Sequence, residues 1–243
     1  MLRAVPRARS LLRRLVPLQI RRPVGIGLYR VYRAIRNALR EVLGRLPFLA
    51  ARDFVYDERF YAKGDPMKLD SYPRFAEALI RLRSPRTVVD VGSGSGLMLA
   101  EFAKRGVDVQ GIEGSRAAIE RSQLGERIVR ANLERGVPDL GNFDLALCIE
   151  VAEHLTARSA PRLVEGLTRL SDVIVFTASQ PGEGGLVHMN PQPESYWRAL
   201  FAQHGFAVSP LREDLLDAIA DVPEPRYLHE NLMVFERSSR AAS

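Results

Sequence analysis

The stretch TVVDVGSGSGL, residues 87–97, decides the fold. Residues 87–91 are an almost uninterrupted apolar run, as expected of a strand that is buried on both faces of a parallel sheet. The glycines that follow permit a tight turn and let a ligand approach the backbone, next to the free amide groups at the start of a helix. The stretch therefore predicts a strand, a ligand-binding turn and a helix.

Strands and helices alternate on either side of this turn. Further strands are predicted over 107–113, 127–131, 143–149, 173–178, 206–210 and 231–236, and helices over 57–83, 97–105, 115–124, 157–170 and 193–204. Such alternation predicts an α/β fold with a doubly wound, mostly parallel sheet of seven strands and helices on both faces. Sheets of this kind bind ligands beyond the C-terminal strand ends, where the winding direction switches.

The positive charge of the chain is concentrated at its beginning. Residues 1–45 hold twelve arginines and one acidic residue, a net charge of +11, whereas the whole chain of 243 residues carries +6, so residues 46–243 carry −5. The pI of about 9.8 therefore describes the arm and not the body. An acidic body lacks the positive field that a phosphate-binding face needs, so nucleic acid is the less favoured partner.

Residues 28–46 predict a basic amphipathic helix within this arm. Apolar side chains recur at helical spacing, at Leu28, Val31, Tyr32, Ile35, Leu39, Val42, Leu43 and Leu46, with arginines largely between them. Either this apolar stripe packs on the body, or it lies in an anionic membrane surface with its arginines over lipid phosphates. RNA or a partner protein is a third option. We thus predict a helical arm over 1–46 and a domain over 47–243.

Composition and cysteine content indicate the cellular compartment of the protein. Its 46% hydrophobic and 26% charged residues are ordinary for a globular protein. One cysteine, Cys148, excludes an internal disulfide framework and favours a reducing compartment. There is no run of ~20 apolar residues and no secretory-signal core, although a mitochondrial presequence would also be rich in arginine. We expect a cytoplasmic protein, peripheral at the membrane if the arm binds lipid.

Residues 90–96, DVGSGSG, follow the spacing D-x-G-x-G-x-G rather than the G-x-G-x-x-G of NAD-binding folds. A glycine-rich turn alone would also suit a dinucleotide or a plain connection. This spacing resembles motif I of the class I (Rossmann-like) S-adenosylmethionine-dependent methyltransferases. The resemblance implies that Asp90, Gly92, Gly94 and Gly96 bind S-adenosylmethionine around its methionine portion, and that the last strand is antiparallel.

Two more residues at strand ends extend the resemblance. Glu113 ends the second predicted strand, where a carboxylate can accept hydrogen bonds from both ribose hydroxyls, as it does in NAD-binding proteins too. Asn132 follows the third strand, where most members of the family have an aspartate that faces the exocyclic amine of adenine. Asparagine keeps an acceptor oxygen. The resemblance therefore implies that Glu113 binds the ribose and Asn132 the adenine.

The segment FDLALCIEVAEHL, residues 143–155, resembles F-D-[LV]-[VA]-x-x-x-E-V-x-E-H of the methyltransferase branch that acts on small molecules and glycans. The resemblance implies that Glu150 lies near the cofactor and that Glu153 and His154 begin the next helix. His154 is a candidate general base, because a histidine of pKa near 6.5 suits removal of a proton from a hydroxyl. Alternatively, Glu153 and His154 only seat the loop.

A polar loop over 180–190 follows the fifth predicted strand. With residues 191–197, PQPESYW, it resembles a G-H-x-N-x-Q-x-x-x-Y-W stretch of bacterial members of the same branch. Loops at this edge of a sheet carry function, so His188 is our first candidate for the base, unless it merely ties the loop to the body. Tyr196 and Trp197 are interpreted as packing residues, with stacking on an acceptor ring as the alternative.

Three functions follow from these features. The favoured one is transfer of a methyl group from S-adenosylmethionine to a hydroxyl of a glycan, lipid-linked or other small molecule, largely by holding both partners at near-attack distance. The others are an RNA or protein methyltransferase tethered by the arm, and a non-catalytic module that binds the cofactor. No metal site is predicted, because His154 and His188 are far apart in sequence and no third ligand has an obvious spacing.

Overall fold

The computed structural model describes residues 35, 38–39, 42–43, 53–222 and 225–238. The five described residues of the arm are helical, as its amphipathic pattern predicts, and the rest of the arm lies outside the described residues. The chain divides into two units, Met1–Leu39 and Arg40–Ser243. The boundary at residue 46 between an arm and a domain remains a prediction.

All seven predicted strands are present, and their ends differ from the prediction by no more than two residues. They are β1 Thr87–Val91, β2 Asp108–Glu113, β3 Ile128–Arg130, β4 Leu145–Ile149, β5 Val173–Thr177, β6 Phe206–Val208 and β7 Met233–Arg237. They form one sheet in the order β3-β2-β1-β4-β5-β7-β6. Only β7 runs antiparallel to its neighbours β5 and β6, which confirms the predicted fold class.

The helices cover both faces of this sheet. They are α1 Glu58–Gly64, α2 Ser71–Arg83, α3 Leu97–Lys104, α4 Arg116–Arg121, α5 Ala160–Leu170, α6 Glu194–Ala202, α7 Leu211–Ala218 and α8 Tyr227–Glu230. Successive strand residues point to opposite faces. Val88 accordingly belongs to a buried cluster with α2, α3 and α7, whereas Val89 belongs to a second cluster with α5 and α6.

The helix predicted over 157–170 begins later, at Ala160. Glu134, which is buried, accepts hydrogen bonds from the Thr156 hydroxyl at 2.7 Å and from the Thr156 amide at 3.1 Å. Its carboxylate also accepts one from the Ser159 hydroxyl at 2.5 Å. These long-range contacts hold the preceding turn outside the helix, and Pro161 fits the first turn, where its missing N–H is not needed.

Helices α7 and α8 were not predicted. α7 begins directly after Pro210, has Glu213 and Asp214 in its first turn, and buries Leu211 and Leu215, which are four residues apart. Those features are ordinary signals of a helix start and of one buried face. Within the described residues, no helix combines the length and the apolar character needed to cross a bilayer.

Candidate functional site

The candidate site lies at the C-terminal ends of β1 and β4. These strands are neighbours and pair in parallel, yet the chain leaves β1 toward β2 and β3 and leaves β4 toward β5. The loops after the two strands therefore diverge, which opens a cleft at the switch point of the sheet. The glycine-rich turn over 92–96 forms one side of this point, and residues 150–154 follow β4 beside it.

The glycine-rich turn is anchored to β2 and to the loop after β4. The amides of Gly92 and Ser93 donate to the Ile112 carbonyl at 2.7 and 3.1 Å. Gly92 has a φ of 84°, and a Cβ atom there would lie 2.4 Å from Cγ2 of Val151. Only glycine fits both the backbone conformation and this contact. The turn and the segment after β4 thus pack directly on each other.

Glu113 has a structural role in addition to the predicted ribose contact. Its Oε2 accepts a hydrogen bond from the Gly94 amide at 2.8 Å, and its Oε1 accepts one from the Ser115 amide at 2.6 Å. Burial raises the pKa of this carboxyl, and the two amide donors oppose that shift. Each carboxylate oxygen can accept a further hydrogen bond, so the group holds the turn in place and keeps the capacity to bind a ligand.

Asp90 is buried in the wall of the cleft at the end of β1. The residues that line the cleft are Lys68, Tyr72, Asp90, Gly92–Ser95, Leu97, Met98 and Ile149. Burial and then repulsion by Glu113 raise the pKa of Asp90 to about 7, against the attraction of Lys68. Two acidic groups and one ammonium group therefore share a poorly solvated volume beside the glycine-rich turn.

The cleft includes residues that sequence reasoning missed, all from segments outside the recognised motifs. The ammonium of Lys68 lies 5.7 Å from the centre of the Tyr72 ring, and burial lowers the Lys68 pKa. The Tyr72 hydroxyl lies 2.8 Å from the Tyr227 hydroxyl, which comes from α8. The available sequence signal was the run of aromatic residues ahead of β1, which was interpreted only as helices leading into the fold.

Asn132 caps a short 3-10 turn, Leu133–Arg135. Its Oδ1 accepts a hydrogen bond from the Glu134 amide at 3.2 Å, and the side chain is half-buried. Asn132 thus stands at the end of β3, between the strand and this turn. The adenine contact implied for Asn132 remains a prediction.

Glu150 lies directly after β4, as predicted, in a strained backbone conformation. Its φ is 54°, a region that residues with a Cβ atom rarely adopt. The Glu150 backbone amide donates to the Thr177 carbonyl and to the Thr177 hydroxyl at the end of β5. The Glu150 carboxylate accepts from the Ser179 hydroxyl and from the side-chain amide of Asn231, each at 3.3 Å. The carboxylate is thereby fixed between β4, β5 and the start of β7.

The two candidate bases, His154 and His188, lie together. Their ring centres are 4.8 Å apart in an edge-to-face arrangement, and both side chains are half-buried. The fully buried Glu153 joins them, with its Oε1 3.8 Å from His154 Nε2. One ligand-type atom from each of the three residues lies within 4.8 Å of the other two.

This convergence requires two corrections. Glu153 and His154 do not begin the next helix, because Ala152–His154 is a 3-10 turn and α5 starts at Ala160. Separation in sequence also does not exclude a metal site here. His154 and His188 are far apart in sequence but adjacent in space, and Glu153 supplies the third ligand-type group.

Aromatic side chains from the segment before α2 connect the histidine pair to the glycine-rich turn. The Tyr56 ring packs edge-on against His154 with centres 5.6 Å apart, and against Phe60 at 5.1 Å. Phe60 in turn contacts Tyr61, whose Cε1 would lie 3.5 Å from a Cβ atom at Gly94. Trp197 is fully buried on Phe176, which agrees with its interpretation as a packing residue.

A second cavity, of about 870 Å³, holds none of the predicted site residues. It lies beside the N-terminal ends of β1 and β4, and its lining includes the ion pairs of Asp172 with Arg237 and of Glu165 with Arg169. These partners neutralise each other. Because parallel sheets bind ligands at the opposite edge, the smaller cleft beside the glycine-rich turn is the better candidate.

With this geometry established, the family comparison decides the class of protein. A family model described as a methyltransferase domain matches residues 61–172, which run from α1 through the glycine-rich turn and β4 to the end of α5. This part of the chain matches the methyltransferase-domain family. The matched residues include Glu113, Glu153 and His154, whereas His188 lies beyond them.

Two curated relatives carry methyltransferase names. A ubiquinone biosynthesis O-methyltransferase from Alkalilimnicola ehrlichii is 28% identical over 145 residues, covering 56% of this chain and 53% of that protein. One from Acinetobacter baylyi is 31% identical over 100 residues, covering 37% of this chain and 40% of that protein. The chain thus matches about half the length of these relatives or less.

Among solved structures, a sugar N-methyltransferase from Streptoalloteichus superposes with a TM-score of 0.57 at 18% identity, covering 74% of this chain and 92% of that one. A magnesium protoporphyrin IX methyltransferase from Synechocystis with bound S-adenosylmethionine gives 0.51 at 18% identity, covering 79% and 85%. At this level of identity the likeness establishes the fold, which is that of the Rossmann-like methyltransferases.

Proposed function

We propose that this methyltransferase-family protein transfers a methyl group from S-adenosylmethionine to a hydroxyl of a small acceptor, such as a glycan or a lipid-linked molecule. The observation that carries the proposal is the placement of His154 after β4 and of His188 after β5, at the same edge of the sheet as the glycine-rich turn after β1. Val151, three residues before His154, packs on Gly92. Groups suited to a cofactor and groups suited to an acceptor are thus neighbours.

The chemistry of the cleft fits this cofactor. S-Adenosylmethionine supplies an electrophilic methyl group on a cationic sulfonium and also carries a cationic α-amino group. Asp90 and Glu113 provide two buried carboxyl groups beside the glycine-rich turn. A bound cation would favour their charged forms and so offset the burial that raises the pKa of each. Burying cationic groups is costly unless opposite charges compensate them. In this proposal Asp90 and the glycine-rich turn hold the methionine portion, Glu113 the ribose and Asn132 the adenine.

On the acceptor side, the histidines supply a group that can take the hydroxyl proton. His154 Nδ1 lies 3.3 Å from the Val187 carbonyl oxygen, so a tautomer with the proton on Nδ1 leaves Nε2 as the acceptor. His188 comes from the loop after β5, which hydrogen-bonds to the turn of His154. Positioning contributes most of the rate in such a transfer, and the base adds to it.

The curated relatives' names favour oxygen as the methylated atom. Two curated relatives are named O-methyltransferases of ubiquinone biosynthesis. A structural neighbour at 18% identity is named a sugar N-methyltransferase, a name that gives nitrogen as the methylated atom. The preference for oxygen therefore rests on the curated relatives and on the candidate base.

Binding of the cofactor is tested with Glu113→Gln. The side-chain NH₂ of a glutamine would face the backbone N–H of Gly94 or of Ser115, so two donors would meet. The substitution would also remove the charge that strengthens these hydrogen bonds. We expect a loss of affinity for S-adenosylmethionine of about 10–100-fold in calorimetry, which corresponds to roughly 1.5–3 kcal/mol. The exposed Glu120→Gln is the matched control. Equal affinity in the wild type and both variants would remove Glu113 from the site.

Turnover is tested with His188→Ala and His154→Ala, beside His204→Ala at the distant cavity as the control. Loss of a general base lowers turnover by about 10²–10⁴-fold and leaves cofactor affinity unchanged. If only one variant loses turnover, that histidine is the base. Full activity in both would favour a mechanism of positioning alone.

We further propose that the arm associates with anionic membranes and so brings the catalytic domain to a lipid-linked acceptor. Its net charge of +11 supports this proposal. So does the exposure of Ile35, Leu39 and Val42, which are 55%, 47% and 63% exposed and follow one another at spacings of four and three residues. Side chains at that spacing share one face of a helix.

A further inference from the structure

The cluster of Glu153, His154 and His188 contains a feature that general-base chemistry does not require. The Glu153 side chain is fully buried, and among the described residues no hydrogen bond of normal geometry reaches either carboxylate oxygen. Its polar neighbours are the Glu150 carboxyl, which adds a second acidic group, and the Ser179 backbone. Buried carboxylates are normally hydrogen-bonded, paired with a cation or bound to a metal. A group of this kind, directed at two imidazoles, points to a cation as the absent partner.

The backbone holds the three side chains together. The Glu153 carbonyl accepts hydrogen bonds from the Met189 amide at 2.8 Å and from the Asn190 amide at 3.0 Å. His154 Nδ1 faces the Val187 carbonyl at 3.3 Å. The loop that carries His188 is therefore tied on both sides of that residue to the turn that carries Glu153 and His154. Histidine ligands commonly donate one ring N–H to a backbone carbonyl, which orients the ring so that its other nitrogen faces the ion.

We propose that Glu153, His154 and His188 bind one divalent first-row transition-metal ion, such as Zn²⁺. Two imidazoles and one carboxylate suit such an ion, whereas Mg²⁺ and Ca²⁺ prefer oxygen ligands alone. Ligand atoms on one ion with bonds near 2.1 Å lie about 3.4 Å apart, so binding draws these groups, now within 4.8 Å, together by about 1 Å.

Three protein ligands leave a coordination position for another molecule. The catalytic role of the ion rests on the proposed function: the acceptor hydroxyl takes the open position, and the ion lowers the pKa of that hydroxyl. The oxygen then binds the methyl carbon as the bond from that carbon to sulfur breaks, and the hydroxyl proton passes to solvent or a nearby base. The histidines would act through the ion, so a chelator would abolish turnover without changing the protein.

Gly185 provides a test that leaves the three ligands intact. A Cβ atom at Gly185 would lie 1.9 Å from His188 Nε2, whereas a Cβ atom at Gly184 would have nothing within 4 Å. Neither glycine requires a positive φ. Gly185→Ala therefore displaces the His188 ring, and Gly184→Ala adds the same methyl group to the same loop without this contact. Comparison of the two variants distinguishes displacement of the His188 imidazole from a general disturbance of the loop.

The experiment uses the full chain, stripped with EDTA and dialysed. Zn²⁺ binding is measured by calorimetry, and Co²⁺ binding by the visible absorption of a low-coordinate ion. We expect one ion per chain, with affinity lowered by about 100-fold or more in Glu153→Gln and His188→Ala. Displacement of one ligand in Gly185→Ala should lower it by about 10–100-fold. Gly184→Ala and His204→Gln should bind as the wild type does, and circular dichroism checks that each variant is folded.

Equal binding in all variants, or no binding by the wild type, overturns the inference. Cofactor affinity, measured in the presence of EDTA, separates this failure from failure of the proposed function. A protein that binds no Zn²⁺ but binds S-adenosylmethionine and transfers methyl groups in EDTA refutes the metal site and keeps the proposed function. Transfer in EDTA by a protein that does bind Zn²⁺ refutes the catalytic role of the ion. A protein that binds Zn²⁺ through these residues but has no affinity for the cofactor supports the site and refutes the function.

Discussion

Replacement of Gly92 by alanine tests the packing at the centre of the site. The added Cβ would lie 2.4 Å from Val151 Cγ2 and 3.0 Å from Val151 Cγ1, closer than carbon atoms approach. Gly92 also has a φ of 84°, so alanine is strained there even without the contact. The two penalties act on the joint between the glycine-rich turn and the segment after β4.

The size of each penalty follows from its cause. A residue with a Cβ atom in the left-handed region costs about 1–2 kcal/mol, and overpacking of a well-filled site costs about 1–3 kcal/mol. Gly92→Ala should therefore lower the free energy of unfolding by about 2–5 kcal/mol. Gly106, with a φ of 82° and nothing within 4 Å of a Cβ atom, isolates the first penalty. Gly106→Ala should cost about 1–2 kcal/mol.

Urea denaturation of both variants measures the difference. We expect Gly92→Ala to be the less stable by about 1–3 kcal/mol, and the double variant Gly92→Ala/Val151→Ala to lose less than the sum of its single changes. Affinity for S-adenosylmethionine should fall in Gly92→Ala and stay unchanged in Gly106→Ala. Equal stability of the two alanine variants would falsify the steric argument, because the close contact with Val151 would then cost nothing.

Further predictions concern charge. Because the pKa of Asp90 is raised to about 7, the folded protein retains a proton there that the unfolded chain releases near its ordinary value of about 3.9. The free energy of unfolding should thus fall as pH rises through this window, and Asp90→Asn should flatten that decline in urea titrations. Hydrogen bonds from the Arg86 and Thr87 amides lower the pKa of Asp144, so protonation of this group below pH 4 should lower the free energy of unfolding. Asp144→Asn should therefore make the free energy of unfolding less dependent on pH below pH 4; an unchanged dependence would contradict this. Removal of residues 1–46 should abolish sedimentation with anionic vesicles but preserve methyl transfer, whereas an insoluble product would favour an arm that packs on the body.

The fold was predictable because its signals are local and repeated. The strand over 87–91 appears with the predicted bounds, since a short apolar run before a glycine-rich turn has few other interpretations. The start of α5 was predicted three residues too early, because Glu134 draws Thr156 and Ser159 out of the helix through contacts over more than 20 residues of chain. Side-chain contacts between distant segments leave no periodic mark in a sequence.

The motifs named several residues of the candidate site, but neither its arrangement nor Lys68 and Tyr72, which line the cleft. Motif spacing identified Glu113, but not that its carboxylate also holds the Gly94 amide. The motifs identified His154 and His188 as well, yet their convergence depends on the amides of Met189 and Asn190 meeting the Glu153 carbonyl. Backbone hydrogen bonds between two loops do not depend on side-chain identity, so no residue pattern predicts them.

Strained backbone conformations lie next to Glu153 and His188. Among the described residues, only Ser84, Glu150 and Val187 have a positive φ without being glycine. Glu150 lies three residues before Glu153, and Val187 directly precedes His188. Such conformations cost about 1–3 kcal/mol each and persist only where surrounding contacts impose them. For Glu150 these are the bonds to Thr177, Ser179 and Asn231. Two of the three strained residues thus flank the Glu153 cluster, which places the strain beside the groups proposed to bind the ion.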